Sequence, residues 1–126
     1  MTERNMYKFV TSIGCSALWE LKMSKTTSIP FSALKEHQEG ILRQSKTSTG
    51  VLYKFPDVGV SQMACDGFWI NNAKYAWVIL IFYKIRKPKT FLYIEIDTWI
   101  KEREQSERKS LTEHRAIAIA ERIITA

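Results

Sequence analysis

Glu20, Leu21 and Lys22 form the stretch whose residue types and spacing can do chemistry. From Cys15 to Leu21 the residues Cys15, Ala17, Trp19 and Leu21 alternate with Ser16, Leu18 and Glu20, a period-two pattern that predicts a strand. Residues two apart on a strand project to the same side, so Glu20 and Lys22 share a face. A carboxylate beside an ammonium can hold a divalent cation and a phosphate or attacking water at adjacent points. The bare tripeptide is common, and its ordinary occurrence is a same-face ion pair on a solvated strand.

The elements that must position this pair follow from periodicity and turn chemistry. Met6, Phe9 and Val10 lie at helical spacing behind a Thr2 cap, which predicts a short first helix over 2–10. Met23 to Ile29 reads as an exposed hydroxyl-rich loop, and Pro30 leads into a helix whose stripe is Phe31, Leu34, Gln38, Ile41 and Leu42, running to Ser45. Gln38 is the polar residue on that apolar stripe. Val51 to Phe55 reads as a strand stopped by Pro56, and Asp57 to Ala64 as a loop. Two further runs, Asp66 to Ile70 and Lys74 to Tyr83, flank Asn71-Asn72-Ala73, which predicts a hairpin because asparagine tolerates positive φ. After the basic turn Lys84 to Lys89 come a strand over Phe91 to Ile96, a helix capped by Asp97, and a last helix opened by Ser110 with Glu113 three residues on. Helix, strand, helix, four strands and two helices make an α/β or α+β domain with a mixed sheet.

With 126 residues the chain is long enough for one packed domain, 1–126, and too short for two. A net charge of +6 and a pI near 9.4 favour a polyanionic partner such as nucleic acid. Cys15 and Cys65 form neither a metal-ligand spacing nor a disulfide framework, so a cytoplasmic setting is expected. The longest apolar stretch, Tyr75 to Tyr83, is about half of a membrane span, and no membrane role is expected. The sequence has no glycine-rich phosphate loop, zinc spacing or nucleophile elbow. His37 points away from Gln38 and suits solvent or a DNA phosphate, and His114 has no evident role.

The segment Trp19 to Gln38, W-E-L-K-M-S-K-T-T-S-I-P-F-S-A-L-K-E-H-Q, resembles the block shared by phage and bacterial Holliday junction resolvases of the PD-(D/E)XK nuclease superfamily. There an E-x-K strand runs through a T-x-S-x-P turn into a helix. The Y-K-F-P-D-V-G and C-D-G-F segments, between Tyr53 and Phe68, are similar to segments of small phage-encoded members.

The resemblance implies a restriction-endonuclease-like α/β fold, a central mixed sheet flanked by helices, and a magnesium-dependent endonuclease selective for branched DNA, with Mn²⁺ able to substitute. A symmetric homodimer is implied because a four-way junction needs two matched cuts. In the family a metal-binding Asp opens a strand upstream of E-x-K, whereas the residues before Glu20 contain only one acid, Glu3. The expected site is therefore assembled in swapped order: Glu20, Asp66 and the Leu21 carbonyl on the metal, Asp57 as competing or additional ligand, and Lys22 on the nucleophile or the phosphate. Gln38 would bond a metal water or Lys22, or else be a buried amide bonded to backbone. Lys25, Thr26, Thr27, Ser28, Lys35, His37 and Lys54 are the expected DNA contacts, with Lys84, Arg86, Lys87 and Lys89 more distant. The aromatic residues of the strands, Trp69, Trp77 and Tyr93 among them, are expected in the core and a subunit interface.

Overall fold

The computed structural model describes residues 16–54 and 66–126. The first helix expected over 2–10, Glu3 and Asp57 lie outside those residues. A four-stranded mixed sheet organises the rest. Its centre is Tyr75–Phe82 (β5), whose run YAWVILIF is buried almost throughout because both of its faces are covered. Ala17–Ser24 (β1) runs parallel to β5, with Glu20 opposite Val78 and Lys22 opposite Leu80. Thr90–Glu95 (β6) pairs antiparallel on the other side of β5, and Arg122–Thr125 (β8) pairs antiparallel with β6. The described domain is thus a small α/β unit with a mixed central sheet flanked by helices.

Parallel strands cannot be joined by a tight turn, so the chain between β1 and β5 crosses over. The crossover holds a short strand Ser28–Pro30 (β2), a 3₁₀ turn Phe31–Ala33, the helix Glu36–Ser45 (α1), and a two-stranded ribbon made of Val51–Lys54 (β3) and Gly67–Ile70 (β4). After β6 come the helix Ile96–Gln105 (α2), the strand Ser110–Thr112 (β7), which pairs with β2, and the helix Glu113–Ile119 (α3).

Strand alternation separates two cores. Ala76, Val78, Leu80, Leu92 and Ile94 face the helices, where Phe31, Leu42, Ile96 and Trp99 complete a cluster and Leu18 of β1 packs against it. Trp77, Ile79, Ile81, Phe91 and Tyr93 face the opposite side with Ala17 and Trp19. Glu20 and Lys22 share the parity of Leu18 and therefore lie on the helical face.

Several sequence expectations change. β1 extends beyond Leu21 to Ser24, and the expected loop after it closes into β2. Pro30 precedes a 3₁₀ turn, and α1 opens only at Glu36. The Asn71-Asn72 hairpin does not form: Asn72 takes the expected positive φ of 49°, but β4 pairs with β3 and β5 with β1 and β6. The turn instead redirects the chain from the ribbon into the sheet, held by Asn72 N–H donating to the Thr47 carbonyl at 2.8 Å and Ala73 N–H to Ser45 at 2.9 Å. Glu95, not Asp97, caps α2 by accepting from the Asp97 N–H at 2.7 Å. Ser110 belongs to β7, and Thr112 caps α3. Of the aromatic residues expected in the core and a subunit interface, Trp77 and Tyr93 are buried and Trp69 is 57% exposed on the ribbon.

Gly50 enters β3 at a φ of 72°, and a Cβ there would stand 2.3 Å from the Ile70 carbonyl oxygen. Gly50→Ala is expected to lower stability by about 1–3 kcal/mol or more, read from urea unfolding. Glu102 of α2 accepts from the Arg115 guanidinium of α3, and this bond, opposed by burial, holds its carboxyl below the usual 4.5. A depressed carboxyl stabilises the fold above its unfolded pKa, and the contribution is lost as pH falls below about 4.5 and through the folded value. Glu102→Gln should therefore flatten the acid side of a stability-versus-pH curve and leave the slope above pH 6 unchanged.

Candidate active site

The E-x-K strand and the crossover helix meet at the sheet edge. Lys22 Nζ lies 3.4 Å from Glu20 Oε1, the two side chains being 19% and 34% exposed. Gln38 Nε2 donates to the same oxygen at 3.1 Å. The other end of that amide is also occupied, since Gln38 Oε1 accepts the Lys35 backbone N–H at 3.0 Å. With its oxygen fixed on the helix entrance, the amide can present only its NH₂ to Glu20. Gln38 thus sets the carboxylate's orientation, and Glu20 Oε2 keeps no partner among the described residues.

Local sequence explains the arrangement. A glutamine three residues after the residue that precedes α1 is half of a capping box, reaching back to an N–H that the helix leaves unsatisfied. Its place on the apolar stripe turns it toward the sheet, where β1 offers Glu20 at the edge. The structure gives Gln38 a direct bond to Glu20 and a bond to backbone at the same time. The Lys35-x-x-Gln38 spacing was the signal available in the sequence for that double role.

The other expected site residues scatter. Asp66 is exposed at the entrance to β4, on the ribbon and not on a hairpin with β5. Among the described residues no three His, Cys, Asp or Glu side chains come together as a metal-binding group. Leu21 alternates to the opposite face from Glu20 and is exposed there. Ser24 and Thr26 use their hydroxyls within the turn after β1, both donating to the Ser28 carbonyl, at 2.7 and 2.9 Å. Lys25 and Thr27 are exposed beside them, and Ser28 is taken into β2. Lys35 and His37 stand exposed at the start of α1, flanking Gln38, whereas Lys54 ends β3 on the separate ribbon.

What the described constellation can do is present one oriented, half-exposed carboxylate with an ammonium beside it. Gln38→Ala removes both amide bonds and should cost about 1–2 kcal/mol in urea unfolding, with the secondary structure unchanged by circular dichroism. No protein-family model, curated protein or solved structure matches the chain.

Proposed function

We propose that this protein is a Mg²⁺-dependent, structure-selective DNA endonuclease of the Holliday junction resolvase type. The observation that carries the reading is the geometry of Glu20, Lys22 and Gln38: the carboxylate and ammonium of an E-x-K strand lie side by side on the helical face, under the helix that returns the chain to a parallel strand. The resemblance of Trp19 to Gln38 to the resolvase block and the net charge of +6 point the same way.

The residues present fit Mg²⁺ in a limited sense. A protein commonly holds this ion by one or two carboxylates, with waters and substrate phosphate filling the shell. Glu20 through Oε2 and the Leu21 carbonyl would hold it here, with Asp66 or Asp57 as the second carboxylate. When bound, such an ion lowers the pKa of a coordinated water and neutralises charge on the scissile phosphate. Lys22 would donate to the phosphate oxygens as charge accumulates on them. Gln38 keeps the carboxylate in one orientation, so that no rearrangement is needed during the reaction.

One observation favours a second reading, a DNA-binding module without catalysis: among the described residues no three His, Cys, Asp or Glu side chains form a metal-binding group. A synthetic four-way junction incubated with protein and Mg²⁺ separates the two. The nuclease should cut the junction in symmetric pairs, Mn²⁺ should replace Mg²⁺, and Lys22→Ala should lower the rate by about 10²–10³-fold while junction binding persists. Asp66→Asn and Asp57→Asn, made separately, identify the second carboxylate: the variant that loses it should stop cutting and still bind. Wild-type protein that binds the junction and leaves it whole with either metal overturns the nuclease reading.

A further inference from the structure

The turn between β5 and β6, Lys84-Ile85-Arg86-Lys87-Pro88-Lys89, combines features that a merely solvated turn does not need. Four of its six residues are cations and none is acidic. Ile85 at its apex is 76% exposed, more than any other large apolar residue among those described. Lys87 N–H bonds back to the Lys84 carbonyl at 3.3 Å, closing a turn about Ile85 and Arg86. Arg86 takes a φ of 60° there, a position where glycine is the default, so the turn keeps a cation where flexibility would favour none. Lys84 is paired with Glu113 at 3.2 Å, and Lys89 sits 6.0 Å over the Tyr83 ring. Arg86 and Lys87 are exposed and have no ion-pair partner among the described residues.

Register places this tip relative to the site. Lys22 stands opposite Leu80, and Ile85 follows five residues later at the same end of the sheet, where Tyr83 N–H bonds to the Ser24 carbonyl at 2.7 Å. At about 3.3 Å per residue the tip reaches at most ~16 Å from the level of Lys22. That span covers about five base pairs of duplex, roughly half a B-form turn, over which one side of the helix passes from one groove to the next.

We propose that the β5–β6 tip is a second DNA contact that enters the minor groove of the duplex flanking the scissile phosphate. Arg86 and Lys87 hold phosphates on either side of the groove, and Ile85 is the apolar wedge between them. The inference rests on the nuclease reading for the position of the scissile phosphate. Duplex DNA fits the tip better than an anionic membrane does, because one isoleucine buries too few methylene groups to anchor a protein in lipid, whereas a narrow groove needs only one wedge.

The two roles separate by salt. Binding of a branched duplex and of a linear duplex, measured by fluorescence anisotropy in EDTA across a salt series, should show Arg86→Gly/Lys87→Ala with a slope of log K against log salt reduced by about two. Glycine suits the backbone at 86, so this variant should melt at or above the wild-type temperature. Ile85→Ala should bind about tenfold more weakly with an unchanged slope. Wild-type affinity and slope in both variants overturn the proposal, as does loss of binding to phosphatidylserine vesicles with DNA affinity intact. If wild-type protein binds no DNA, the nuclease reading falls too. If it cuts junctions and both variants bind and cut as it does, only the tip is wrong.

Discussion

The parallel pairing of β1 with β5 is the constraint on which the rest of the described structure depends. A parallel partner obliges the intervening chain to leave the sheet and return from the opposite end, and α1 is laid over the sheet by that return. Had β1 met β5 through a tight hairpin, Glu20 would have faced the same layer with no helix above it. The crossover also decides which face the E-x-K pair occupies. Leu18 packs into the helical core, so Glu20 and Lys22, two and four residues further along β1, emerge on that side at the strand edge. There the core ends, and a polar cluster can be half-covered without being sealed from water.

A half-covered carboxylate needs partners for the hydration it gives up. Glu20 Oε1 finds two of them, one cationic and one neutral, and the neutral one is anchored at its far end to the Lys35 N–H. The anchored amide matters more to geometry than the ion pair does. A lysine ammonium on a flexible stem can follow a carboxylate through several rotamers, whereas an amide bonded at both ends cannot. The same economy of polar groups appears at the other end of α1. Lys46 bonds both Glu95 and Asp97, and although burial pulls its pKa down, those two carboxylates outweigh it and hold the ammonium above its usual range.

Local signals in the sequence were legible where the structure is local, and failed where a distant partner decided the outcome. The alternation around Glu20 showed the strand and its face, and the apolar run of β5 showed a buried strand. Asn71-Asn72 correctly marked a bend with positive φ, but turn chemistry says nothing of which strands pair on either side. Ala73, tied to Ser45, and β5, tied to β1, carried the chain into another sheet. Ser110 with Glu113 had the form of a helix start, yet Ser110–Thr112 was drawn into pairing with Ser28–Pro30, and the cap moved to Thr112. β8 was missed because four residues, RIIT, carry too little pattern to be separated from the end of the preceding helix. In the site, Glu20, Lys22 and Gln38 were read from spacing and do converge, whereas Asp66 was assigned through a hairpin that depended on non-local pairing.

The distribution of charge follows from the same architecture. Arg103 of α2 pairs with Glu39 of α1, Arg115 of α3 with Glu102 of α2, and Lys84 after β5 with Glu113 of α3. The two arginines link successive helices and Lys84 ties the turn after β5 to α3, each weakly, because solvent-exposed pairs contribute little individually. Every one of those bridges also consumes a carboxylate. With only thirteen acids against nineteen lysines and arginines, the pairing leaves an excess of cations with no acid to meet. Arg86 and Lys87 have no ion-pair partner among the described residues, and the turn that carries them has no acid of its own. A closed ion pair is nearly neutral at a distance of one Debye length, so the long-range field of the molecule is set by the cations left over. The β5–β6 tip, with four cations and no acid, is one place where such charge collects, and it lies at the end of the sheet where Tyr83 N–H bonds to the Ser24 carbonyl at the end of the strand bearing Glu20 and Lys22.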